Sequence, residues 1–311
     1  MSLRAQLPQL SGRTFVTDGG METDLIFHAG LELPHFASFV LLENVRGTDT
    51  LRDYYLRYIE LAREYGVGIV LDTPTWRANP DWGARLGYSS AALAEVNRRG
   101  VALLEELRAS AGDEPALVIS GCIGPQGDGY RADQLMTAAE AEQYHAVQIA
   151  AFADTAADMV SALTLTYANE AVGIVRGAEE AAIPSVISFT VETDGRLPSG
   201  QPLGEAIEQV DAETAGGAAY FMINCAHPTH FADVLEDGGP WVDRIRGLRA
   251  NASAKSHAEL DEAEELDEGD PLELARQYRD LSRHLPNLTV VGGCCGTDHR
   301  HIAAICSAWA S

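Results

Sequence analysis

The sequence predicts a single-domain α/β protein whose eight parallel strands and flanking helices close into a (β/α)8 barrel. Short runs rich in Val, Ile and Leu recur along the 311 residues, and stretches with helical periodicity separate them. No linker or internal repeat divides the chain. Alternation of this kind predicts a parallel sheet with right-handed crossovers, and about 250 residues suffice for eight such units.

The individual elements follow from these runs. Seven runs bounded by Gly, Pro, Asp or Asn are predicted as strands, at 14–17, 68–71, 116–120, 159–163, 185–190, 219–223 and 289–291. The series needs an eighth strand, and 242–248 is assigned to it although VDRIRGL has low strand propensity. The helices predicted between the strands cover 50–65, 90–110, 137–156, 169–182, 202–215, 271–285 and 299–309.

An open, doubly wound sheet is the alternative fold. Such sheets usually carry a glycine-rich phosphate-binding turn after the first strand, and the sequence DGGM at 18–21 lacks that spacing. The domain is therefore predicted to span 1–311, with an acidic insertion around 255–270. Within it, ELDEAEELDEGD at 259–270 is typical of a solvated loop or helix face.

Composition argues against several kinds of partner. The chain has 46 acidic and 22 basic residues and a net charge of −24, so its field repels phosphate backbones and anionic membranes. The first residues lack a signal-peptide pattern, and no run of about 18 apolar residues occurs. We expect a cytoplasmic enzyme acting on small molecules, not on nucleic acid or a membrane. Its oligomeric state is not indicated.

Polar residues that follow the predicted strands are candidate site residues, because barrel active sites lie at the carboxyl ends of the strands. Five cysteines in a chain without an export signal favour metal or redox chemistry over a disulfide framework. The strand-end residues are Asp18, Asp72, Thr73, Gly121, Cys122, Thr164, Thr190, Asn224, Cys225, Asn251, Cys294 and Cys295.

Three of these cysteines form the main candidate site. Cys225 follows the sixth strand, and Cys294 with Cys295 follows the eighth, in the sequence GGCCG. The glycines can adopt backbone angles that turn both vicinal sulfurs inward. Three thiolates suit a catalytic zinc ion with one open position, and a vicinal redox pair is the alternative. Cys306 is interpreted as core, and Cys122 as a weaker candidate for lining the site.

Several motifs in the chain are similar to those of the homocysteine S-methyltransferase family. The strongest are VGGCCGTDHRHIAAI at 291–305 and INCAHPTHF at 223–231. Weaker similarities are TDGGMET near the start, TPTWRAN from Thr73, GCIGPQGDGY from Gly121 and SFTVETDGRLPSGQPLGEAI from Ser188. Together they cover nearly the whole chain.

This resemblance implies a barrel in which Cys225, Cys294 and Cys295 hold Zn2+. It also implies methyl transfer from an onium-type donor, of the S-methylmethionine, S-adenosylmethionine or betaine class, to a zinc-bound thiolate. The usual acceptor in the family is homocysteine, which becomes methionine. The first-strand motif implies that Asp18 lines the amino-acid site. The candidate substrate-binding residues are Asp18, Gly19, Gly20, Thr73, Trp76, Thr164, Asn251 and Glu259.

One position departs from the family pattern. Family members carry a glutamate near the end of the fourth strand that receives the ammonium of homocysteine, and the aligned segment SALT places Leu163 there. A leucine cannot make this charge-assisted hydrogen bond, which is worth about 1.5 to 3 kcal/mol. Three explanations remain: Glu259 or Asp261 receives the ammonium, the acceptor is another thiol, or the barrel binds zinc and thiol without catalysis.

The methyl donor is less constrained. Aromatic faces bind onium groups, and Trp76 and Tyr130 are candidates for this role, with ordinary packing as the alternative for Trp76. A cobalamin-bound methyl group would need a separate module acting in trans. An aldolase using a Schiff base is a minor alternative, because the only lysine, Lys255, lies in the region after the seventh strand.

Overall fold

Eight parallel strands close into a barrel in the computed structural model of the chain, which describes residues 3–263 and 265–309. Each strand pairs with the next, and β1 also pairs with β8, Phe15 lying opposite both Gly68 and Val290. The strands are β1 (Phe15–Val16), β2 (Gly68–Asp72), β3 (Leu117–Ile123), β4 (Met159–Leu165), β5 (Ser185–Phe189), β6 (Tyr220–Asn224), β7 (Ile245–Ala250) and β8 (Val290–Gly293).

Helices cover the outside of the barrel and shape its rim. They are α1 (Met21–Thr23), α2 (Val45–Tyr65), α3 (Pro80–Arg85), α4 (Ser90–Ala111), α5 (Ala138–Ala153), α6 (Ala168–Glu180), α7 (Leu203–Glu213), α8 (Pro228–Asp237), α9 (His257–Asp261), α10 (Pro271–Leu281) and α11 (His299–Trp309). A π-helical turn covers Asp24–His28, and short 3-10 helices cover Pro8–Ser11, Pro34–Phe36, Ser38–Glu43 and Pro240–Arg244. None of the described helices is long and apolar enough to span a bilayer.

Two layers of apolar side chains make up the core, because successive strand residues point to opposite faces. Phe15, Val70 and Tyr220 belong to a cluster inside the barrel, whereas Val16 and Leu71 belong to the larger cluster between strands and helices. The strands therefore consist of nearly continuous apolar runs, as expected for a parallel sheet covered on both faces.

The amino-terminal segment closes one end of the barrel. Gln9 is fully buried, and its side-chain amide donates to the hydroxyl of Tyr220 inside the barrel at 3.3 Å. The backbone amide of Leu3 donates to the carboxylate of Asp158 at 3.0 Å. Arg108 pairs with the same carboxylate at 2.7 Å. Access to the barrel interior is thus left to the opposite end, where the strands finish.

The predicted barrel is confirmed, with local corrections. The seventh strand is Ile245–Ala250 rather than 242–248, because residues 240–244 form a 3-10 helix. Helices α1, α3, α8 and α9 are missing from the sequence-based set. Each has ten residues or fewer, which is too short for a clear periodicity. The acidic segment forms α9 and then a loop whose residues line the cavity described below, so it is not simply a solvated face.

Candidate active site

A cavity of about 620 Å3 opens at the carboxyl-terminal rim of the barrel. We call it the rim cavity. Its floor comes from strand ends and the segment after β1, and its walls come from the loops after β2, β3 and β7. Its lining includes Asp18, Gly19, Gly20, Glu22, Asp72, Thr73, Trp76, Arg77, Trp82, Cys122, Asp128, Tyr130, Leu163, Thr164, Asn224, Cys225, Arg249, Asp261, Glu265, Asp267, Cys294 and Cys295.

Three cysteine sulfurs meet in the rim cavity, and we call them the thiol cluster. The Sγ atoms of Cys225, Cys294 and Cys295 all lie within 4.8 Å of one another. The Sγ atoms of Cys225 and Cys294 are in contact, and the Sγ of Cys295 lies 3.8 Å from that of Cys225. In their reduced form, three converging thiolates fit a zinc ion with one open coordination position.

The backbone that presents the sulfurs differs in detail from the expected arrangement. Gly292 and Gly293 do not have a positive φ, and their role is to leave room for neighbouring side chains. A Cβ on Gly292 would clash with the side chain of Thr17, and a Cβ on Gly293 would clash with that of Thr297. Gly296 has a positive φ of 79°, as does Cys225 at 55°. A positive φ in a non-glycine residue is costly and often marks a functional site.

Asn224 links the thiol cluster to the end of β4. Its side-chain oxygen accepts from the backbone amide of Thr164 at 2.8 Å and from the hydroxyl of Ser188 at 2.6 Å. Its amide nitrogen donates to the Thr164 hydroxyl at 2.8 Å and contacts the Sγ of Cys294 at 3.8 Å. These bonds hold Thr164 at a positive φ of 62°, where the β4–β5 register shifts.

His257 and Tyr130 support the cluster from the other side. His257 Nε2 lies 2.9 Å from the carbonyl oxygen of Cys225, and the ring stacks on Tyr130 with a centroid distance of 4.1 Å. The Tyr130 hydroxyl lies 3.5 Å from the Sγ of Cys295. Burial raises the pKa of the Tyr130 hydroxyl well above its usual value. Sequence reasoning missed His257, and no motif signals it.

A charged triad of Asp18, Arg249 and Asp72 lies in the floor of the rim cavity. Arg249 donates to Asp18 at 2.6 Å and also pairs with Asp72, and its Nε donates to the carbonyl of Gly293 at 3.1 Å. The second oxygen of Asp18 accepts from the hydroxyl of Tyr54 at 3.1 Å. Burial raises the pKa of Asp18 to about 6, although Arg249 lowers it. The role of Arg249 was not predicted.

An aromatic wall stands beside the triad. The guanidinium of Arg77 lies over Trp76 at 4.1 Å and over Trp82 at 4.0 Å, so it is held between two indoles. Trp76 Nε1 donates to the carbonyl of Leu163 at 3.2 Å. Leu163 itself lines the cavity at the position where the family pattern has a glutamate. The wall therefore presents an arginine beside an apolar patch.

The remaining predicted residues are placed as follows. Thr73 lines the cavity, and its hydroxyl accepts from the amide of Cys122 at 2.9 Å. Asn251 is buried and is not part of the described lining, and its side-chain oxygen has no partner among the described residues. Glu259 is not part of the described lining, because its carboxylate caps α9 by accepting from Ser256. Its neighbour Asp261 does line the cavity.

The two other cysteines behave differently from the thiol cluster. Cys122 lies in the cavity floor, where burial raises the pKa of its thiol well above the usual value, so it stays neutral. Cys306 is in α11 and packs in the outer core, as predicted. Gly19 and Gly20 contribute close packing, since a Cβ on either would clash with the backbone of Thr297 or Cys294.

Comparisons with known proteins agree with this picture. The family model for homocysteine S-methyltransferase matches residues 15–309. The homocysteine S-methyltransferase YbgG of Bacillus subtilis is 26% identical over 251 residues, which are 72% of this chain and 75% of that protein.

Solved structures of the homocysteine methyltransferase MmuM from Escherichia coli have the same fold. The oxidised form has a TM-score of 0.76 and 22% identity, covering 98% of each chain. The metallated form has a TM-score of 0.74 and 21% identity, covering 98% of this chain and 99% of that one. Because the family model spans nearly the whole chain, this protein belongs to the homocysteine S-methyltransferase family and is a methyltransferase.

Proposed function

We propose that this protein is a zinc-dependent S-methyltransferase that transfers a methyl group from an onium-type donor to homocysteine and forms methionine. The observation that carries this proposal is the convergence of Cys225, Cys294 and Cys295, whose sulfurs lie within 4.8 Å in a cavity large enough for two small molecules. Bound by these residues, zinc would keep the acceptor sulfur in its nucleophilic thiolate form.

The protein's own residues would prepare the reaction in three ways. Asn224 and His257 fix the strand ends that carry Cys294 and Cys225. Leu163 and the indole of Trp76 line the cavity and would reduce the amount of water around the bound substrates. The carboxylates that line the cavity outnumber its two arginines, which favours a donor with a positively charged onium group, such as S-methylmethionine, S-adenosylmethionine or betaine.

A reducing environment is part of the proposal. Cys225 and Cys294 can bind a metal only as free thiolates, so they must be kept from forming a disulfide with each other. We therefore propose that the protein works in the cytoplasm, where thiols are kept reduced. Its partners are then the small thiol and the methyl donor.

The test measures metal content and methyl transfer on the same reduced preparations. Elemental analysis should give one zinc per chain. Mass spectrometry of homocysteine, selenohomocysteine, cysteine and des-amino thiols, each paired with the three donor classes, should show methylated homocysteine. Replacing Cys225, Cys294 or Cys295 by Ala should remove zinc and turnover together, whereas Cys306→Ala should keep both. Full turnover by a zinc-free variant would contradict the proposal.

Leu163 motivates a second candidate, a barrel that binds zinc and a thiol without catalysis. Its position in the cavity deprives the acceptor of the carboxylate found there in the family pattern. Calorimetric binding of homocysteine with no methylated product from any donor would favour this second candidate over the first.

A further inference from the structure

The loss of a glutamate at Leu163 raises the question of which group receives the ammonium of an amino-acid acceptor. Asp18 and Asp72 are nearby carboxylates, but both are paired with Arg249. Asp18 also accepts from Tyr54, so neither of its oxygens is left without a partner. Oδ1 of Asp72 has no partner among the described residues. The negative charges of Asp18 and Asp72 are nevertheless shared with Arg249, so an incoming ammonium would have to compete with a buried arginine.

Glu22 is the other carboxylate in the cavity floor. It follows the DGGM sequence, is half-buried, and accepts a hydrogen bond at 2.7 Å from Ser38 through Oε1. Burial raises the pKa of Glu22, and the Ser38 hydrogen bond and the charges of Arg249 and Arg77 only partly oppose this. A carboxylate desolvated in this way is stabilised by a cationic ligand.

Contacts of its neighbours connect Glu22 to both sides of the cavity. The hydroxyl of Thr23 accepts from the backbone amide of Gly296, next to Cys295, at 3.2 Å. Ser38, which donates to Glu22, also lies 3.3 Å from the carbonyl oxygen of Pro74, in the loop that carries Arg77. The carboxylate of Glu22 acts electrostatically on Arg77. Glu22 and Arg77 therefore line the same cavity as the thiol cluster.

Arg77 supplies the complementary charge. It is only 8% exposed, and Nη1 donates to the carbonyl of Gly127 at 3.0 Å. Among the described residues, Nη1 is the guanidinium nitrogen for which a hydrogen-bond acceptor is found, and the buried Nε has none. Burial lowers the pKa of Arg77 to about 10, with Asp128 and Glu22 opposing, so the group is charged at neutral pH.

We propose that Glu22 and Arg77 bind the two charged groups of an α-amino-acid thiol, Glu22 its ammonium and Arg77 its carboxylate, while its sulfur lies at the thiol cluster. The inference rests on the proposed function and assigns the acceptor's recognition to residues other than the position now held by Leu163. The two indoles restrain Arg77, so little side-chain entropy is lost when a carboxylate binds.

Other acidic residues of the cavity fit this role less well. Asp128 is exposed and accepts from the backbone amide of Tyr130 at 2.8 Å. Asp261 is exposed and lies 3.9 Å from Arg131. Glu265 is exposed as well. Asp267 is half-buried, but it already accepts from the Ser253 hydroxyl at 2.7 Å and lies 3.6 Å from the ammonium of Lys255. Carboxylates in water gain little from pairing with an ammonium, whereas a half-buried one without a cationic partner gains more.

The test compares three thiols that differ only in their charged groups: homocysteine, 4-mercaptobutyrate, which lacks the ammonium, and 3-mercaptopropylamine, which lacks the carboxylate. Reduced, zinc-loaded wild type, Glu22→Gln and Arg77→Gln are assayed for KM and kcat with each thiol. Glu105→Gln and Arg98→Gln, both exposed on α4, are the matched controls. Circular dichroism checks that every variant is folded.

Glu22→Gln should raise KM about ten- to hundred-fold for homocysteine and 3-mercaptopropylamine and leave 4-mercaptobutyrate unchanged. Arg77→Gln should raise KM by a similar factor for homocysteine and 4-mercaptobutyrate and leave 3-mercaptopropylamine unchanged. kcat should change little, because these groups hold the substrate equally before and during reaction. Equal effects on all three thiols, or none, would overturn the inference.

Two further measurements keep the inference separate from the proposed function. If the wild type methylates no thiol, the proposed function fails. The dissociation constants of the three thiols are then measured by calorimetry for the wild type and the variants. Equal constants for wild type and variants would overturn the inference as well. Adding Leu163→Glu to Glu22→Gln should restore much of the affinity for homocysteine but not alter that for 4-mercaptobutyrate. A double variant as weak as Glu22→Gln would contradict ammonium recognition at this end of the cavity.

Discussion

Arg249→Met should destabilise the protein strongly, because Arg249 neutralises two buried carboxylates. Its side chain is 7% exposed, and those of Asp18 and Asp72 are 3% and 8% exposed. Methionine keeps most of the volume but leaves both acids without a cation. Removing one partner of a buried ion pair costs about 3 to 5 kcal/mol in the free energy of unfolding, and we expect a loss of this size at pH 8.

The penalty should shrink on acidification. In the wild type the pKa of Asp18 is about 6 when folded, against about 3.9 when unfolded. The folded state therefore binds more protons between these values, and stability falls as pH rises through this window. Arg249 lowers the pKa of Asp18. Without Arg249 this pKa should be higher, so the fall in stability should extend to higher pH. The variant should thus recover part of its deficit at pH 5.5, where Asp18 takes up a proton.

Urea unfolding under reducing conditions, at pH 8 and pH 5.5, measures both effects. Arg246→Met is the matched control, since Arg246 is on the same strand, is half-buried and makes no ion pair with a described residue. The control should change stability by less than about 1 kcal/mol. An Arg249→Met protein within about 1 kcal/mol of wild type at pH 8, or one whose deficit grows on acidification, would refute the reasoning.

Two further predictions concern the scaffold. Contacts with Asp24, and with Glu268, raise the pKa of His28. Its stabilising effect is therefore present below about pH 6.5 and is lost as pH rises through the pKa of the folded state. The stability difference between wild type and His28→Gln, measured by thermal unfolding, should shrink from pH 6 to pH 9, and a constant difference would contradict the assignment. Gly121→Ala should lower the free energy of unfolding by about 1 to 3 kcal/mol, because the new Cβ would lie 2.5 Å from the buried ring of Phe152. The control is Gly127→Ala, whose Cβ would point into open space, and it should unfold at nearly the wild-type urea concentration.

Features that depend on local pattern could be predicted from the sequence. The strands follow from apolar runs bounded by turn residues, and most of the long helices follow from their periodicity, since both signals lie within about twenty consecutive residues. The position of Cys225, Cys294 and Cys295 at strand ends also follows, because the barrel brings all carboxyl ends of its strands to one rim. The barrel itself and the family are confirmed by the structure and by the family model.

The choice of partners among charged residues was decided only by the tertiary structure. Arg249 is 231 residues from Asp18 and 177 from Asp72 in the chain, and no local pattern indicates that they pair. Glu259 and Asp261 are equivalent by sequence, but a helix cap turns one away and leaves the other facing the cavity. Periodicity specifies which elements form; which side chains meet depends on how the rim loops pack, and that involves the whole barrel.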